Sequence, residues 1–313
     1  MKAEKFKKSK KVILCAALFL LAAGILSFHI YRSYRHPIVR EVTIDSDKID
    51  SPVRFVFLSD LHESVFGEKN EELYGMVRSL DPDLILVGGD MVNWRSEDDD
   101  YVYETVRGLS QIADVYYALG NHEIEFMNFR GDIVVTGNDR ITASYNLPED
   151  PDKGLVFRAG KAGATVLQRD WKDLEIRGSR IRIGAAYEGM YSLDEKDPMN
   201  TLLQGMQSFL TEYQDTDAFT LYITHRPSSY LLGNASQLWN FDAVLCGHEH
   251  GGQVYLPFLG GFYSRERGIF PGMTRGSFLI GETNLIVSAG LGSNSEPLPR
   301  FNNPPEIVLL TIE

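Results

Sequence analysis

Five apolar runs in this chain each stop at a turn carrying Asp, Asn or His, and that repetition narrows the possible folds more than any other feature. The runs read FVFLSDLHES (residues 55–64), DLILVGGD (83–90), VYYALGNHE (115–123), FTLYITHRP (219–227) and FDAVLCGHEH (241–250). Short stretches of β-branched, aromatic and aliphatic residues bounded by Gly and polar clusters predict buried strands. Similar stretches at 39–44, 180–186, 285–289 and 306–312, with helical patterns at 71–80 and 101–112, predict an α/β chain with two packed sheets or one large one. No internal repeat is visible. Residues 125–160, with the turn-prone pieces TGND and NLPEDPDKG, read as an insertion over one rim.

In open α/β sheets, ligands bind outside the carboxyl ends of the strands, so these turns can converge on one cleft. They carry Asp60 and His62, Asp90, Asn121 with His122 and Glu123, His225, and His248 with His250. Asp60 and His62 are two apart, as are His248 and His250; in an extended segment each pair leans to one side. Carboxylate oxygen and imidazole nitrogen suit Mn, Fe, Zn or Co, and the absence of thiolate points away from a structural zinc site. So many donors exceed one tetrahedral ion and fit two divalent ions sharing a carboxylate. A lone Asp-x-His or GNH is often only a cap or turn, and GNDR at 137–140 is read as one. The conjunction argues otherwise, because five of the seven histidines fall inside strand-end motifs. The acidic run at 97–100 reads as a solvated loop.

The ends of the chain differ. Residues 1–36 carry eight Lys or Arg against Glu4 alone, a net +7, which leaves −19 on the remainder of a chain whose formal charge is −12. A domain that acidic repels polyanions, which argues against nucleic acid as a partner. The uncharged stretch at 12–30 is long enough to span a bilayer as a helix, and its lysine-rich leader belongs in the cytoplasm. The expected organisation is a cytoplasmic tail and single-pass signal anchor at 1–36, then one domain at 37–313 on the extracytoplasmic side. Residues 32–51 read as a linker running into the first strand. Cys15 and Cys246 are poorly placed to pair.

Asp60-x-His62, Gly89-Asp90, Gly120-Asn121-His122-Glu123, His225 and Gly247-His248-x-His250 resemble, in order and spacing, the motifs of the calcineurin-like metallophosphoesterases. The GHEHGGQVYLP stretch and the tail RFNNPPEIVLLTIE resemble the membrane-anchored, YkuE-like bacterial branch. The resemblance implies a four-layer αββα sandwich with two divalent metals at its edge. It further implies that Asp60, His62 and His250 hold the first metal, Asp90 bridges, and Asn121, His225 and His248 hold the second.

The implied reaction is hydrolysis of phosphate mono- or diesters or pyrophosphates. Water activated between the ions attacks phosphorus, and Asp90, Asn121 and His122 form the catalytic set. His122 would donate a proton to the leaving group or stabilise the phosphoryl oxygens, and Glu123 would orient its ring. Glu249 stands where family members often carry Thr and reads as a non-ligand. Arg226 reads as a phosphate contact or the partner of a nearby acid. The segment AAYEGMYS lacks an aspartate often seen there in relatives. Residues 257–272, PFLGGFYSRERGIFPG, read either as an apolar wall beside the metals or as a structural hairpin. Substrates near a membrane surface would be phosphorylated small molecules, lipid-linked phosphates or envelope phosphodiesters. The competing readings are a non-catalytic metal-binding sensor or scaffold and a metal-dependent amidohydrolase on a barrel.

Overall fold

The computed structural model describes residues 2–130, 134–135, 143–144, 154–186, 200–231, 235–293 and 298–313. Most strands that line the site are apolar along their whole length because both faces are covered. In Val53–Leu58, Val53, Phe55 and Phe57 face a second sheet while Val56 and Leu58 pack against helices. Six strands form the first sheet in the order Ile38–Ile44, Glu306–Ile312, Val53–Leu58, Leu84–Val87, Asp114–Ala118, Ala164–Leu167. The second runs Gly276–Ile280, Thr283–Val287, Ala243–Cys246, Phe219–Ile223, Ser179–Ala185, Asp170–Ile176.

Helices cover both outer faces. Glu71–Ser79 and Asp100–Leu109 bring Leu73, Val77, Val102, Val106 and Leu109 onto the first sheet, spaced three or four apart as one helical stripe. Asn200–Gln214 lays Phe209, Leu210 and Tyr213 against the second. The result is a four-layer αββα sandwich whose middle layer of side chains joins the two sheets. Two stacked open sheets also remove the barrel on which an amidohydrolase reading depends.

Strands Leu84–Val87, Asp114–Ala118 and Val53–Leu58 are mutually parallel, as are Ser179–Ala185, Phe219–Ile223, Ala243–Cys246 and Thr283–Val287. Their carboxyl ends therefore gather at one end of the sandwich. Three strands of these two sheets escape a reading from apolar runs. Ala164–Leu167 and Gly276–Ile280 are short edge strands, and Asp170–Ile176, also an edge, alternates Asp, Lys and Glu with apolar residues.

The expected linker at 32–51 is not there. The N-terminal helix runs Lys2–Arg35, only His36 and Pro37 intervene, and strand Ile38–Ile44 begins. Arg32 and Arg35 suit the negative end of the helix, and Pro37 disfavours helix at the residue before it. Within the helix, Ile13–Arg35 is long and apolar enough to cross a membrane. The rim expected at 125–160 holds the end of helix Asn121–Arg130 and the helix Leu155–Lys161; its turn pieces, and AAYEGMYS beyond Ala186, lie outside the described residues. In the acidic run, Asp99 is buried, and Arg158 pairs with Asp99 and Asp100.

Candidate metal centre

Every one of the five motif-bearing turns reaches the same cleft. Their backbones are not extended: Asp60, His62, Asp90, His248 and His250 all adopt positive φ, between 44° and 68°. The expectation that two-residue spacing works by strand-like alternation is thereby corrected. A left-handed non-glycine residue costs roughly 1–2 kcal/mol, and backbone bonds between neighbouring turns hold the strain in place. Asp60 N–H donates to the Gly89 carbonyl at 2.9 Å, and His62 N–H to the Asp90 carbonyl at 3.0 Å. Gly120 and Gly247 complete the cradle, because a Cβ on either would collide with the carboxylate of Asp90 or Asp60 respectively.

The donors fall into overlapping groups. Asp60, His62 and His250 offer atoms within 4.8 Å of one another; so do Asp90, His225 and His248; and so do His62, Asp90 and His122. Asp90 thus joins both sides. Its Oδ2 lies 3.0 Å from His225 Nε2 and 3.8 Å from His62 Nε2. Asp60 Oδ1 lies 3.7 Å from His250 Nε2 and 3.8 Å from His225 Nε2. Asn121, at the start of its helix, buries an Oδ1 that has no hydrogen-bond partner among the described residues.

Hydrogen bonds set which imidazole nitrogen faces inward. His62 Nδ1 sits 3.1 Å from Asn93 Oδ1, His225 Nδ1 is 2.7 Å from the Gly88 carbonyl, and His250 Nδ1 is 3.3 Å from the Gly292 carbonyl. Against these acceptors each Nδ1 carries the hydrogen, so each Nε2 faces the centre, and on a neutral ring it carries the lone pair that a metal ligand requires. Among the described residues the Nε2 atom of His62 is buried without a hydrogen-bond partner. Buried polar atoms are ordinarily satisfied, and the orphaned His62 Nε2 and Asn121 Oδ1 fit ligands of cations.

His122 is held the other way round. Its Nδ1 accepts the Trp94 backbone N–H at 3.1 Å, which leaves the hydrogen on Nε2. That nitrogen is 3.9 Å from Asp90 Oδ2 and lines the open cleft.

Electrostatics follow from burial and proximity. Burial alone would raise Asp60 and Asp90, but the surrounding imidazoles, His250 foremost for Asp60 and His225 for Asp90, hold both below the usual carboxylate range. Burial pushes His62 down to about 4 and His250 down to about 3, so both are neutral near pH 7. Burial also opposes charge on His225, yet the carboxylates of Asp90 and Asp60 outweigh it and bring it up to about 9.

Residues 53–252 match the family model of the calcineurin-like phosphoesterases. The chain belongs to this family. An uncharacterized metallophosphoesterase of Campylobacter jejuni is 26% identical over 97% of this chain and 70% of its own length. The metallophosphoesterase YkuE of Bacillus subtilis is 28% identical over 98% of both chains. A transmembrane protein with a metallophosphoesterase domain from Danio rerio is 22% identical over 75% of this chain and 49% of its own length.

This phosphoesterase, a hydrolase by family, has supports that its motifs did not announce. Glu123 does not orient the His122 ring. Its fully buried carboxylate accepts the backbone N–H groups of Asp90 (2.8 Å), Met91 (2.7 Å) and Gly120 (2.8 Å) and the Tyr117 hydroxyl (2.7 Å). It braces the Asp90 turn, and Trp94 positions His122 instead. Glu249 is buried and paired with Arg267 at 2.9 Å, and belongs to none of the donor groups.

Arg226 both lines the cleft of this phosphoesterase and pairs with an acid, Glu266, at 3.1 Å. Glu266 also sits 3.3 Å from His248 Nε2 and accepts the Ser228 hydroxyl at 2.6 Å. Burial works against its ionisation, but His248, Ser228 and Arg226 together bring it down to about 2. Residues 257–272 form two short ladders. Tyr263, Ser264 and Glu266 of the second line the cleft, while Phe258 and Phe262 do not, so of the two readings the structural hairpin holds and the apolar wall does not. Nothing in the spacing of the motifs points to Asn93, Trp94 or Glu266, because each reaches the site by side-chain or backbone contact across the fold.

Proposed function

We propose that Asp60, His62 and His250 hold one divalent cation, that Asn121, His225 and His248 hold a second, and that Asp90 serves both. The chain then hydrolyses phosphate monoesters, diesters or pyrophosphates, and the preferred substrates are cell-envelope or lipid-linked phosphates on the outer face of the membrane crossed by the N-terminal helix. The single observation that carries this reading is the shared Asp90 carboxylate between two donor groups in which His62, His225 and His250 turn Nε2 inward.

A bound cation pair supplies Lewis acidity and makes an attacking water acidic enough to ionise near neutral pH. The chain's own residues do the rest. His62, His225 and His250, locked by their Nδ1 bonds, keep the donors preorganised. Glu123 fixes the Asp90 turn against the charge it carries. His122, with its hydrogen on Nε2 at the cleft, donates that proton to the leaving oxygen as the ester bond to phosphorus breaks. Arg226 at the rim offsets the negative field of an acidic domain as a phosphate arrives.

The test is hydrolysis of bis(p-nitrophenyl) phosphate and p-nitrophenyl phosphate by the full chain in detergent, with Mn²⁺, Zn²⁺ or chelator. Turnover that needs metal and disappears in Asp90→Asn supports the assignment. Two bound ions with no turnover of either ester would sink the ester-hydrolysis reading.

A further inference from the structure

The N-terminal helix is packed onto the domain rather than strung from it. The buried Ser33 hydroxyl accepts the Asn303 N–H at 3.2 Å while donating to the His29 carbonyl at 2.8 Å. The Tyr34 hydroxyl accepts the Arg300 N–H at 3.1 Å, and the His29 and Phe301 rings meet with centroids 5.5 Å apart. His29 lies within the apolar segment, and Ser33 is only about 6 Å further along the axis. A loop of the domain therefore reaches the level at which the helix leaves the hydrocarbon.

The sheet register turns the metal end the same way. Ile38, directly after the two-residue connection to the helix, pairs with Glu306, and Phe57 pairs with Val308 on the same strand. The end of the first sheet at which the helix enters is thus the end from which Asp60, Asp90 and Asn121 project.

Phe301 carries the contact on to a hairpin. Tyr255 N–H donates to the Phe301 carbonyl at 3.0 Å, and Asn302 Nδ2 to the Tyr255 carbonyl at 3.1 Å. From Tyr255 the chain forms the ladder of Tyr255–Leu256 with Gly260–Gly261, and its turn exposes Phe258 fully (106%) and Leu259 by 65%. Phe258 has φ 68°, a conformation that a bulky residue adopts only at a cost. The neighbouring hairpin is bonded to the first through Phe262 and exposes Ile269 by 65%. Around the helix end, Tyr31, Arg32 and Arg35 are exposed, the residue types that favour the headgroup level.

We propose that the Phe258–Leu259 tip is a second membrane contact, seated in the interface of the same bilayer that the N-terminal helix crosses. The tip and the helix end then hold the domain at two points. Because Asn303 Nδ2 also bonds the His250 and Gln253 carbonyls, at 2.6 and 3.2 Å, the same loop that meets the helix fixes the His250 turn. The cleft opens at headgroup level, which selects phosphates carried on lipids over those free in solution. This inference rests on the anchor reading of the helix and not on catalysis.

The experiment uses the full chain with Cys15→Ser and a single environment-sensitive label at Leu259→Cys, in phosphatidylcholine–phosphatidylglycerol vesicles containing doxyl lipid; Cys246 is buried and unreactive. A label at Asp47→Cys, exposed just past the far end of strand Ile38–Ile44, is the control. The label at 259 is expected to be quenched at least about twofold more than that at 47, as for an apolar element in the interface. Equal quenching overturns the proposal. A label at 259 that is shielded from water yet untouched by the lipid quencher also overturns it, in favour of a second copy of the chain. Phe258→Cys repeats the reading if the first variant fails to fold. No readout is hydrolytic, so an inactive protein leaves this result standing, and an unquenched tip leaves the phosphoesterase assignment standing.

Discussion

The two halves of the centre are built from the same residue types but sit in different surroundings. The half made by Asp60, His62 and His250 is closed: all three are nearly inaccessible, and burial holds both imidazoles neutral. The half made by Asp90, His225 and His248 is as buried at Asp90 and His225 but opens to the cleft at His248. His225 is drawn up to about 9 by the carboxylates, and His248 is partly exposed at the cleft beside Glu266 and Arg226. Burial sets the protonation of the first two imidazoles, whereas the neighbouring carboxylates set that of His225.

The largest expected effect tests what joins them. Asp90→Asn removes the shared charge, and turnover of a p-nitrophenyl ester should fall about 10³-fold or more, with metal content below two ions per chain by elemental analysis. Two tightly held ions in that variant would show that the halves are independent. Next, His122→Gln should lower turnover on the order of 10²-fold for an alkyl leaving group and much less for p-nitrophenolate, with both ions retained. Equal losses for the two leaving groups would remove the proton-donor role.

The comparison itself is sharpened by His62→Ala against His248→Ala. Both should weaken metal affinity by about 10- to 100-fold, but only the closed-half variant should also lower Tm, because it leaves a buried carboxylate cluster without a packed neighbour. Identical Tm values would erase the distinction. In the metal-free protein, His62 and His250 bind protons less readily folded than unfolded. Their contribution is present above about pH 6.5 and is lost as pH falls toward 4 and 3, so chemical denaturation should show stability declining on acidification through that window. Smallest of all, Glu266→Gln removes a rim carboxylate from the path of an anion and should lower KM a few-fold with kcat unchanged; a change in kcat would place Glu266 in the chemistry.

Much of the fold was legible because buried strands are marked by composition. Val53–Leu58, Leu84–Val87, Asp114–Ala118 and Phe219–Ile223 are covered on both faces and read as apolar runs. Asp170–Ile176 was missed because an edge strand with one solvated face carries charge at alternate positions. The helix at Asn121–Arg130 was missed because its first residues were read as donors, although a donor can also start a helix. The supposed linker failed for a local reason too: residues 32–35 are polar but remain helical, and Pro37 sets the end.

Sequence alone determined the donor inventory, the order of the strand-end turns and the apolar N-terminal segment, since each is a property of residues adjacent in the chain. It also carried the family. Tertiary structure decided which donors share a group, which nitrogen of each histidine faces inward, and that Glu123 braces Asp90 while Trp94 turns His122. Those outcomes depend on carbonyls and N–H groups brought together from turns that lie tens of residues apart, such as Gly88 against His225 and Gly292 against His250. Tautomer and charge follow the hydrogen-bond partner, and that partner exists only once the two sheets have packed.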